Sequence, residues 1–288
     1  MNNNHYCHFG KQADVWKHLP LCEIMINEKP QVYVETNSAF AHYLLSNTPE
    51  QRYGIYHFLD KAKGYDNLTN SLYYQLESAA MEENHYLGSP GLALNVLPTK
   101  AKKFIFFDKD VEALSNINGY AIQHSLSDKT KTLNCDSRIG LKELLPSLPE
   151  STLIHIDPYE IDMPGSNGYT YMDLFVQASN LGMKCYLWYG FRTLEEKRLL
   201  NDFIKTELVN CDSSRLLEVE LIMKVIEEDT IPCNPGILGS GLLASNLSNE
   251  SISIISDYSK LLIKLYEGIS YNEFIGDLYR DVVVDFRN

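Results

Sequence analysis

The sequence predicts an α/β fold, built on a doubly wound and mostly parallel sheet that carries an inserted helical segment. Short apolar runs that end in polar or acidic residues alternate with helix-like stretches, which is typical of a parallel sheet covered by helices. About 70 residues separate the first two runs, whereas a direct crossover needs only about 20 to 30. The excess indicates an insertion between the first two strands.

Five apolar runs are predicted strands. They are residues 32–35 (VYVE), 104–108 (FIFFD), 133–136 (LNCD), 153–157 (LIHID) and 185–189 (CYLWY). The first four end in a carboxylate. Because the carboxyl ends of the strands of a doubly wound sheet face the ligand crevice, we expect these carboxylates to lie at one crevice.

The insertion is predicted to be helical and the tail to extend the sheet. Residues 46–83 are rich in Tyr, Leu and amides at helical spacing, which indicates a small helical subdomain overhanging the crevice. Residues 215–226 and 239–244 are predicted strands, and residues 252–267 an amphipathic helix. Residues 1–45 and 84–288 therefore form one Rossmann-like domain in this interpretation.

Composition indicates a globular cytoplasmic protein. The chain has 288 residues, of which 44% are hydrophobic, and no apolar run approaches the roughly 18 residues that span a bilayer. Residues 1–5 (MNNNH) do not resemble an export signal. The six cysteines include no CxxC pair, which predicts reduced thiols and no zinc site.

The acidic balance restricts contact with nucleic acids. A net charge of −13 disfavours non-specific binding to DNA or RNA, because that binding depends on phosphate attraction. Any such contact must be local, or a protein partner must supply the basic surface. Short basic runs at Lys100, Lys102 and Lys103, with Lys11 and Lys17, form either a nucleic-acid path or a solvated face.

The segment Asp157-Pro158-Tyr159 is the first catalytic candidate. It combines a carboxylate acceptor, a rigid turn and an aromatic ring at the end of a buried strand. Those groups suit an exocyclic amine on a planar base, with the carboxylate holding the NH2 group and the ring covering the base. The alternative is an ordinary turn after a strand.

Acidic residues after two other strands are candidates for nucleoside binding. Asp108 suits the two hydroxyls of a ribose, with Asp110 as its rival, and Asp136 with Ser137 suits the adenine of a nucleoside cofactor. Each also has a simpler interpretation, since Asp108 or Asp136 could cap the helix that follows it.

The loop after the first strand argues against a dinucleotide. Residues 35–41 (ETNSAFA) contain no glycine where a dinucleotide-binding fold has GxGxxG, so NAD and FAD are disfavoured. S-adenosylmethionine carries no phosphate, and the small residues Ser38 and Ala39 would let it approach. An ordinary strand-to-helix turn without a ligand remains the alternative.

Two further segments suggest local structure. Asp14 and His18 are one helical turn apart and are predicted to bond each other. In residues 86–91 (YLGSPG), Pro90 is predicted at the first helical position, with Ser89 as the cap.

Together, these segments resemble the RlmJ-type family of 23S ribosomal RNA adenine-N6 methyltransferases over residues 5–250. Residues 8–18 are similar to the family's opening H-x-G-N-x-A-D-V-x-K-H, residues 35–40 to D-T-H-A-G-A, and residues 86–90 to Y-P-G-S-P. Residues 157–160 resemble D-P-P-Y-E, residues 187–189 resemble the start of L-W-Y-P, and residues 236–242 resemble a late G-x-x-x-S-G turn. Asp108 and Asp136 fall at the family's acidic strand ends.

The resemblance implies a Rossmann-like, S-adenosylmethionine-dependent methyltransferase sheet with an inserted helical subdomain. It implies methyl transfer to an exocyclic amine of a base in RNA or DNA, adenine N6 first, with rRNA as the family substrate. Asp157 would orient the amine, Pro158 fix the turn and Tyr159 stack on the base. The cofactor contacts that it implies come from His18, Asn37, Ser89, Asp108, Asp136 and Ser137.

The sequence departs from the family at functional positions. The second proline of D-P-P-Y is absent, Asn37 and Lys11 replace a histidine and an asparagine, and the first loop has no glycine. These departures keep open a catalytically degenerate protein that acts as a binding or regulatory subunit. Guanine N2, or an amine of a protein or small molecule, remains an alternative target.

Overall fold

A computed structural model describes residues 8–212, 215–224, 237–267, 270–271, 274–275 and 277–286. The strands are β1 (Val32–Thr36), β2 (His42–Leu44), β3 (His85–Leu87), β4 (Lys103–Asp108), β5 (Thr130–Asn134), β6 (Thr152–Ile156), β7 (Lys184–Phe191), β8 (Leu216–Lys224), β9 (Gly239–Ser245), β10 (Ser270–Tyr271), β11 (Phe274–Ile275) and β12 (Asp277–Phe286). The α-helices are α1 (Gln12–Glu28), α2 (Pro49–Gln51), α3 (His57–Lys61), α4 (Asp66–Thr69), α5 (Leu72–Glu82), α6 (Ser89–Val96), α7 (Val111–Gln123), α8 (Ser137–Leu144), α9 (Tyr171–Asn180), α10 (Leu194–Leu208) and α11 (Asn249–Tyr266). A π-helical turn (Arg52–Tyr56) and two 3-10 turns (Ala62–Gly64 and Leu145–Ser147) complete the helical segments.

The main sheet has eight strands in the order β12-β8-β9-β7-β6-β1-β4-β5. Strands β5, β4, β1, β6 and β7 are parallel, whereas β9 runs antiparallel between β7 and β8, and β12 pairs antiparallel at the edge. From β1 the chain passes first to β4 and β5 on one side, and later to β6 and β7 on the other. The strand order therefore reverses between β1 and β6, where a doubly wound sheet has its ligand crevice. The predicted Rossmann-like α/β sheet is confirmed.

Apolar helices cover both faces of this sheet. The first core packs α1, α6, α7 and α11 against one face and contains the large side chains of Trp16, Tyr33 and Phe106. The second core packs α8, α9 and α10 against the other face, around Phe107, Phe175 and Phe191. The central strand β1 is buried along its whole length, which explains why it reads as a continuous run without alternation.

The bounds of the predicted strands differ from those in the structure, and two of the differences concern the site or the edge of the described residues. The predicted strand 133–136 is wrong at its end, because β5 finishes at Asn134 and Asp136 is the N-cap of α8. Asp136 accepts a hydrogen bond from the Arg138 N–H, which gives the aspartate a capping role at the start of the helix. Of the predicted strand 215–226, β8 accounts for 216–224, and residues 225–226 lie outside the described residues.

The segment between β2 and β3 is helical, as predicted for residues 46–83. Its helices do not enclose a core of their own, because Tyr53, Phe58 and Tyr73 belong to the same buried cluster as α1. The Tyr266 hydroxyl from α11 donates to the Tyr53 carbonyl at 2.6 Å, which fastens the segment to the end of the chain's last long helix. The insertion is thus packed laterally against α1 and α11.

Within the described part of the chain, no helix is long and apolar enough to cross a membrane.

Candidate active site

A cavity of about 670 Å³ opens at the carboxyl ends of the parallel strands. Its size falls in the range of sites for small molecules and cofactors, roughly 300–1,000 Å³. It is lined by six of the residues that the sequence suggested, which are Asn37, Asp108, Ser137, Asp157, Pro158 and Tyr159. Among the described residues, the lining contains none from 46–83, so the N-terminal segment, and not the insertion, borders the crevice.

A smaller cavity of about 100 Å³ adjoins the large one and is lined by His18 and Ser89. The two cavities share the side chains of Asp14, Lys17 and Asp157. Eight of the nine predicted site residues therefore border one connected region. The exception is Asp136, which is absent from both of the described linings.

Asp157 follows β6 directly, and its environment orients the carboxylate. The backbone N–H of Asp157 donates to the Thr36 hydroxyl at 3.2 Å, and its Oδ2 accepts from the Lys17 ammonium at 2.7 Å. The side chain is 10% exposed. Its other oxygen, Oδ1, is buried and has no hydrogen-bond partner among the residues that the structure describes. A buried acceptor without a partner is costly, so Oδ1 is suited to a donor from a ligand.

Lys17 supplies the countercharge for this carboxylate. It reaches from α1 to Asp157 and also contacts Asp14 Oδ1 at 3.2 Å. Burial opposes the charge of the ammonium, but the carboxylates of Asp157 and Asp14 outweigh it and hold the pKa of Lys17 above its usual value. In the sequence, Lys17 belongs to a short basic run and to the motif of residues 8–18, and neither assigns it a role at the site. The useful signal was its position three residues after Asp14, on the same face of the helix.

Pro158 and Tyr159 continue from Asp157 along the cavity wall. A Cβ atom on Gly190 would lie 2.8 Å from one ring carbon of Tyr159, so this glycine permits the ring's close approach to β7. Burial raises the pKa of Tyr159 to about 12, and the phenol stays neutral at physiological pH. The ring therefore offers a face and an uncharged hydroxyl.

Asp108 lies at the carboxyl end of β4 and is held by two backbone donors. Its Oδ2 accepts from the Ala39 N–H at 2.9 Å and its Oδ1 accepts from the Asp110 N–H at 2.8 Å. Asp110, and not Asp108, caps α7 by accepting from the Glu112 N–H. The capping interpretation of Asp108 is therefore wrong.

The first loop achieves its turn without glycine. Asn37 and Ala39 both have a left-handed backbone, with φ of 54° and 53°. An alanine in that region costs about 1–2 kcal/mol relative to the right-handed region, and the Ala39 N–H bonded to Asp108 offsets part of this cost. Ser38 is tied by its N–H to the Phe107 carbonyl at 3.0 Å. The loop therefore bends sharply beside β4 despite its altered sequence.

Ser89 and Glu35 form a buried network beneath this loop. The Ser89 hydroxyl donates to Glu35 Oε1, and the Tyr33 hydroxyl donates to Glu35 Oε2 at 2.9 Å. Gly88 is the N-cap of α6 and Ser89 its first residue, so the prediction of Ser89 as the cap and Pro90 as the first helical residue is wrong by one position. Ser89 supports the end of β1 at the edge of the small cavity.

His18 faces the small cavity as a neutral imidazole. Its Nδ1 lies 3.0 Å from the Tyr86 hydroxyl, and its buried Nε2 has no partner within the described part of the chain. Burial, followed by the charge of Lys17, lowers its pKa well below the ordinary value. The predicted bond between Asp14 and His18 is wrong, because Asp14 contacts Lys17 and the Lys11 N–H instead.

Asp136 is occupied by basic partners. Arg138 donates to both of its oxygens, at 3.0 and 2.7 Å, and the Lys109 ammonium lies 2.7 Å from Oδ2. The hydrogen bonds from Arg138 hold the pKa of Asp136 well below its usual value. Its neighbour Ser137 does line the large cavity, with its hydroxyl 3.1 Å from that of Tyr171.

Basic side chains at the cavity come from several elements. Lys11, Lys17, Lys109 and Arg138 line it. Lys100, Lys102 and Lys103 lie at or before the start of β4, whose other end carries Asp108. The interpretation of all five lysines as one path is therefore wrong, since a strand's length separates the second group from the crevice.

Comparison with known proteins identifies relatives of the chain. No family model matches it. The ribosomal RNA large subunit methyltransferase J of Haemophilus influenzae is 25% identical over 268 residues, which cover 85% of this chain and 87% of that protein. The crystal structure of a protein from Legionella pneumophila superposes with a TM-score of 0.69 and 20% identity, covering 95% of this chain and 98% of that one.

The fold and the crevice define the chain as a protein of the Rossmann-like methyltransferase fold. Its motif order and its similarity to the Haemophilus protein support a resemblance to the RlmJ-type family.

Proposed function

We propose that this protein is an S-adenosylmethionine-dependent methyltransferase that acts on the exocyclic amine of a nucleobase in RNA or DNA, with adenine N6 in rRNA as the first candidate. The observation that carries the proposal is the buried Oδ1 of Asp157, which lacks a partner among the described residues and belongs to a side chain that lines the same cavity as Asp108. A related ribosomal RNA methyltransferase supports the choice of RNA.

The residues at the β4 end of the cavity fit the proposed cofactor. Asp108 is fixed by the Ala39 and Asp110 N–H groups at the carboxyl end of β4, the position that suits the hydroxyls of a ribose. Asn37, Ala39 and Ser137 border the same end, and His18 and Ser89 border the adjoining space. When bound, S-adenosylmethionine supplies an electrophilic methyl group on a positively charged sulfur.

The residues at the β6 end would align the acceptor. Asp157 Oδ1 accepts an N–H of the amine, which directs the nitrogen lone pair towards the methyl group. Lys17 bonds to Oδ2 and leaves Oδ1 to the amine. Tyr159 covers the base, and Pro158 fixes the turn between them. The transfer needs alignment more than a strong base, since the sulfonium loses its charge as the methyl leaves.

The alternative function is a degenerate relative that binds a ligand or partner without catalysis. The contact between Lys17 and Asp157 favours it, because an ammonium engages the carboxylate that catalysis needs. Against it, the bulky side chains that could fill the crevice lie elsewhere. Trp16 is fully buried and donates to Ser259, and Phe40 packs on Tyr43. Neither lines the large cavity. We further propose a cytoplasmic location and a protein partner that supplies basic surface for binding RNA.

Calorimetric titration with S-adenosylmethionine and S-adenosylhomocysteine tests the proposal. We expect micromolar binding that Asp108→Ala abolishes. Asp110→Asn is the matched control, because asparagine keeps the cap of α7 and leaves Asp108 in place. Absence of binding even at millimolar cofactor would instead support the degenerate alternative.

Methyl transfer to RNA tests the role of Asp157. With labelled S-adenosylmethionine and an unmodified large-subunit rRNA transcript, Asp157→Ala should lose at least about 100-fold in rate, because the amine loses its acceptor and its alignment. Cofactor affinity should stay within a few-fold. The exposed Asp162, on the same loop, provides the control Asp162→Ala. Full activity of Asp157→Ala would rule out the assignment.

A further inference from the structure

We infer that the indole N–H of Trp188 reads the ring nitrogen next to the exocyclic amine of the target base, a role that rests on the proposed function. Trp188 is on β7, is 5% exposed and lines the large cavity. Its Nε1 is buried and has no hydrogen-bond partner among the described residues. The indole nitrogen can only donate. A buried donor without an acceptor is costly, so this position is suited to a ligand that brings one.

Trp188 and Asp157 both contact the same ammonium. Lys17 Nζ is 2.7 Å from Asp157 Oδ2 and 4.8 Å from the centre of the Trp188 ring. The cation over the ring face holds the indole in place. The residue that carries the donor Nε1 and the residue that carries the acceptor Oδ1 thus lie beside one lysine in the lining of the large cavity.

Gly190 brings the aromatic ring of Tyr159 into the same region. A Cβ at Gly190 would lie 3.2 Å from Trp188 Cη2 and 2.8 Å from a Tyr159 ring carbon. A larger residue at position 190 would displace one of these rings. The stacking ring, the donor and the acceptor are therefore positioned by a single stretch of β7 and the turn after β6.

This pair of groups selects a particular edge of a base. Asp157 Oδ1 requires a donor, and Trp188 Nε1 requires an acceptor beside it. Adenine presents N6 beside N1 or N7, and cytosine presents N4 beside N3. Guanine presents its amine beside N1–H on the Watson–Crick edge, which would oppose two donors, and beside N3 on the other side, where the ribose attached at N9 crowds the approach. The geometry points to a base whose amine lies next to an accessible, unprotonated ring nitrogen, and it disfavours guanine.

Nuclear magnetic resonance of the two indole groups tests this inference. The chain contains two tryptophans, so 15N-labelled protein gives two indole signals. Trp16 donates to the Ser259 hydroxyl at 3.0 Å and serves as the internal reference. With S-adenosylhomocysteine present, adenosine monophosphate should move the Trp188 signal downfield and leave the Trp16 signal in place. Guanosine monophosphate should not move it.

Analogues identify the nitrogen that is read. The analogue 1-deaza-adenosine monophosphate lacks N1, and 7-deaza-adenosine monophosphate lacks N7. The analogue that lacks the nitrogen bound by Trp188 should fail to move the Trp188 signal. If S-adenosylhomocysteine binds but adenosine monophosphate leaves Trp188 unmoved, the inference is overturned and the proposed function stands. If both analogues move the signal as adenosine monophosphate does, the inference is likewise overturned. Failure of S-adenosylhomocysteine to bind defeats the proposed function, and this inference with it.

The variant Trp188→Phe gives a second measurement. Phenylalanine keeps an aromatic ring beside Lys17 but removes the donor. Its kcat/KM on an adenosine-containing RNA should fall about tenfold, the effect of one hydrogen bond, with unchanged cofactor affinity. With RNA that carries the unread deaza analogue, wild type and variant should be equal. If wild type and Trp188→Phe have equal kcat/KM on both RNAs, the inference is contradicted.

Discussion

Three buried carboxyl groups near the crevice are stabilised in different ways. Asp157 has a buried ammonium beside it, and Glu35 accepts from the hydroxyls of Tyr33 and Ser89. Glu77 on α5 accepts only the Leu87 N–H, at 3.2 Å, from the described residues, and its Oε1 has no partner there. Burial raises the pKa of Glu77 well above its ordinary value. Asp157 is therefore paired with a buried cation, whereas Glu77 is held as a neutral acid.

The neutral state of Glu77 predicts a pH dependence of stability. Since its pKa is higher in the folded state, stability falls as the pH rises above 4.5, where the unfolded chain loses the proton first. The neutral, isosteric Glu77→Gln should raise the unfolding midpoint at pH 7, and the gain should disappear as the pH falls to 4.5. Denaturant unfolding of both proteins across this range measures the difference.

Glu82→Gln on the same helix is the matched control, because Glu82 is exposed. A gain of equal size from both substitutions, or a Glu77→Gln gain that does not change with pH, would contradict a buried neutral acid.

At the scale of elements, the inserted helices support the strand-free segment that leads into α1. The Ile55 N–H donates to the Gly10 carbonyl at 2.9 Å. Gly54 lies in the π-helical turn with a non-helical backbone, and a Cβ there would fall 2.0 Å from the same carbonyl oxygen. The insertion thus contacts the backbone that carries Lys11, and through α1 it influences the position of Lys17.

This contact predicts the effect of a methyl group at position 54. Gly54→Ala should lower the free energy of unfolding by about 1–3 kcal/mol, the usual cost of overpacking, because the backbone at Gly10 cannot move without displacing α1. Gly64→Ala is the control, since a Cβ there meets no atom within 4 Å. Urea denaturation compares them. Equal free energies of unfolding of the two variants would contradict the prediction, because they would mean that the backbone at Gly10 moves away from the added Cβ at little cost.

At the scale of the whole molecule, acidity and the location of the lysines limit how RNA can bind. The chain carries a net charge of −13, and the basic residues at the crevice are few. We expect the logarithm of the affinity for single-stranded RNA to fall with the logarithm of salt concentration with a slope of about −2, as for about three neutralised phosphates. Fluorescence anisotropy across a range of KCl concentrations measures the slope.

Substitution of single lysines locates the contact surface. Lys109→Ala, at the crevice, should reduce the magnitude of the slope by about 0.7, the effect of one phosphate on a single strand. Lys100→Ala, exposed before the start of β4, should leave it unchanged. The opposite result would mean that RNA approaches the amino ends of the strands, away from Asp157.

The order of strands and the residues at their ends were predictable from the sequence because they depend on local patterns. A buried parallel strand reads as an apolar run, and the polar residue after it marks the carboxyl end. Asp108 and Asp157 were found in this way, and the structure brings both to one cavity. Asp136 was misjudged by the same rule, because the sequence does not distinguish an aspartate that ends a strand from one that caps the next helix.

By itself, the sequence determined the α/β class, the helical insertion and the carboxylates at the crevice, because these follow from periodicity, spacing and residue type. Only the tertiary structure decided which side chains meet. Lys17 lies 140 residues from Asp157 in the chain, and Trp188 approaches both from another strand. Contacts of this kind depend on how α1 and β7 pack against the turn after β6. That packing depends on the whole core, so a local sequence pattern does not predict it.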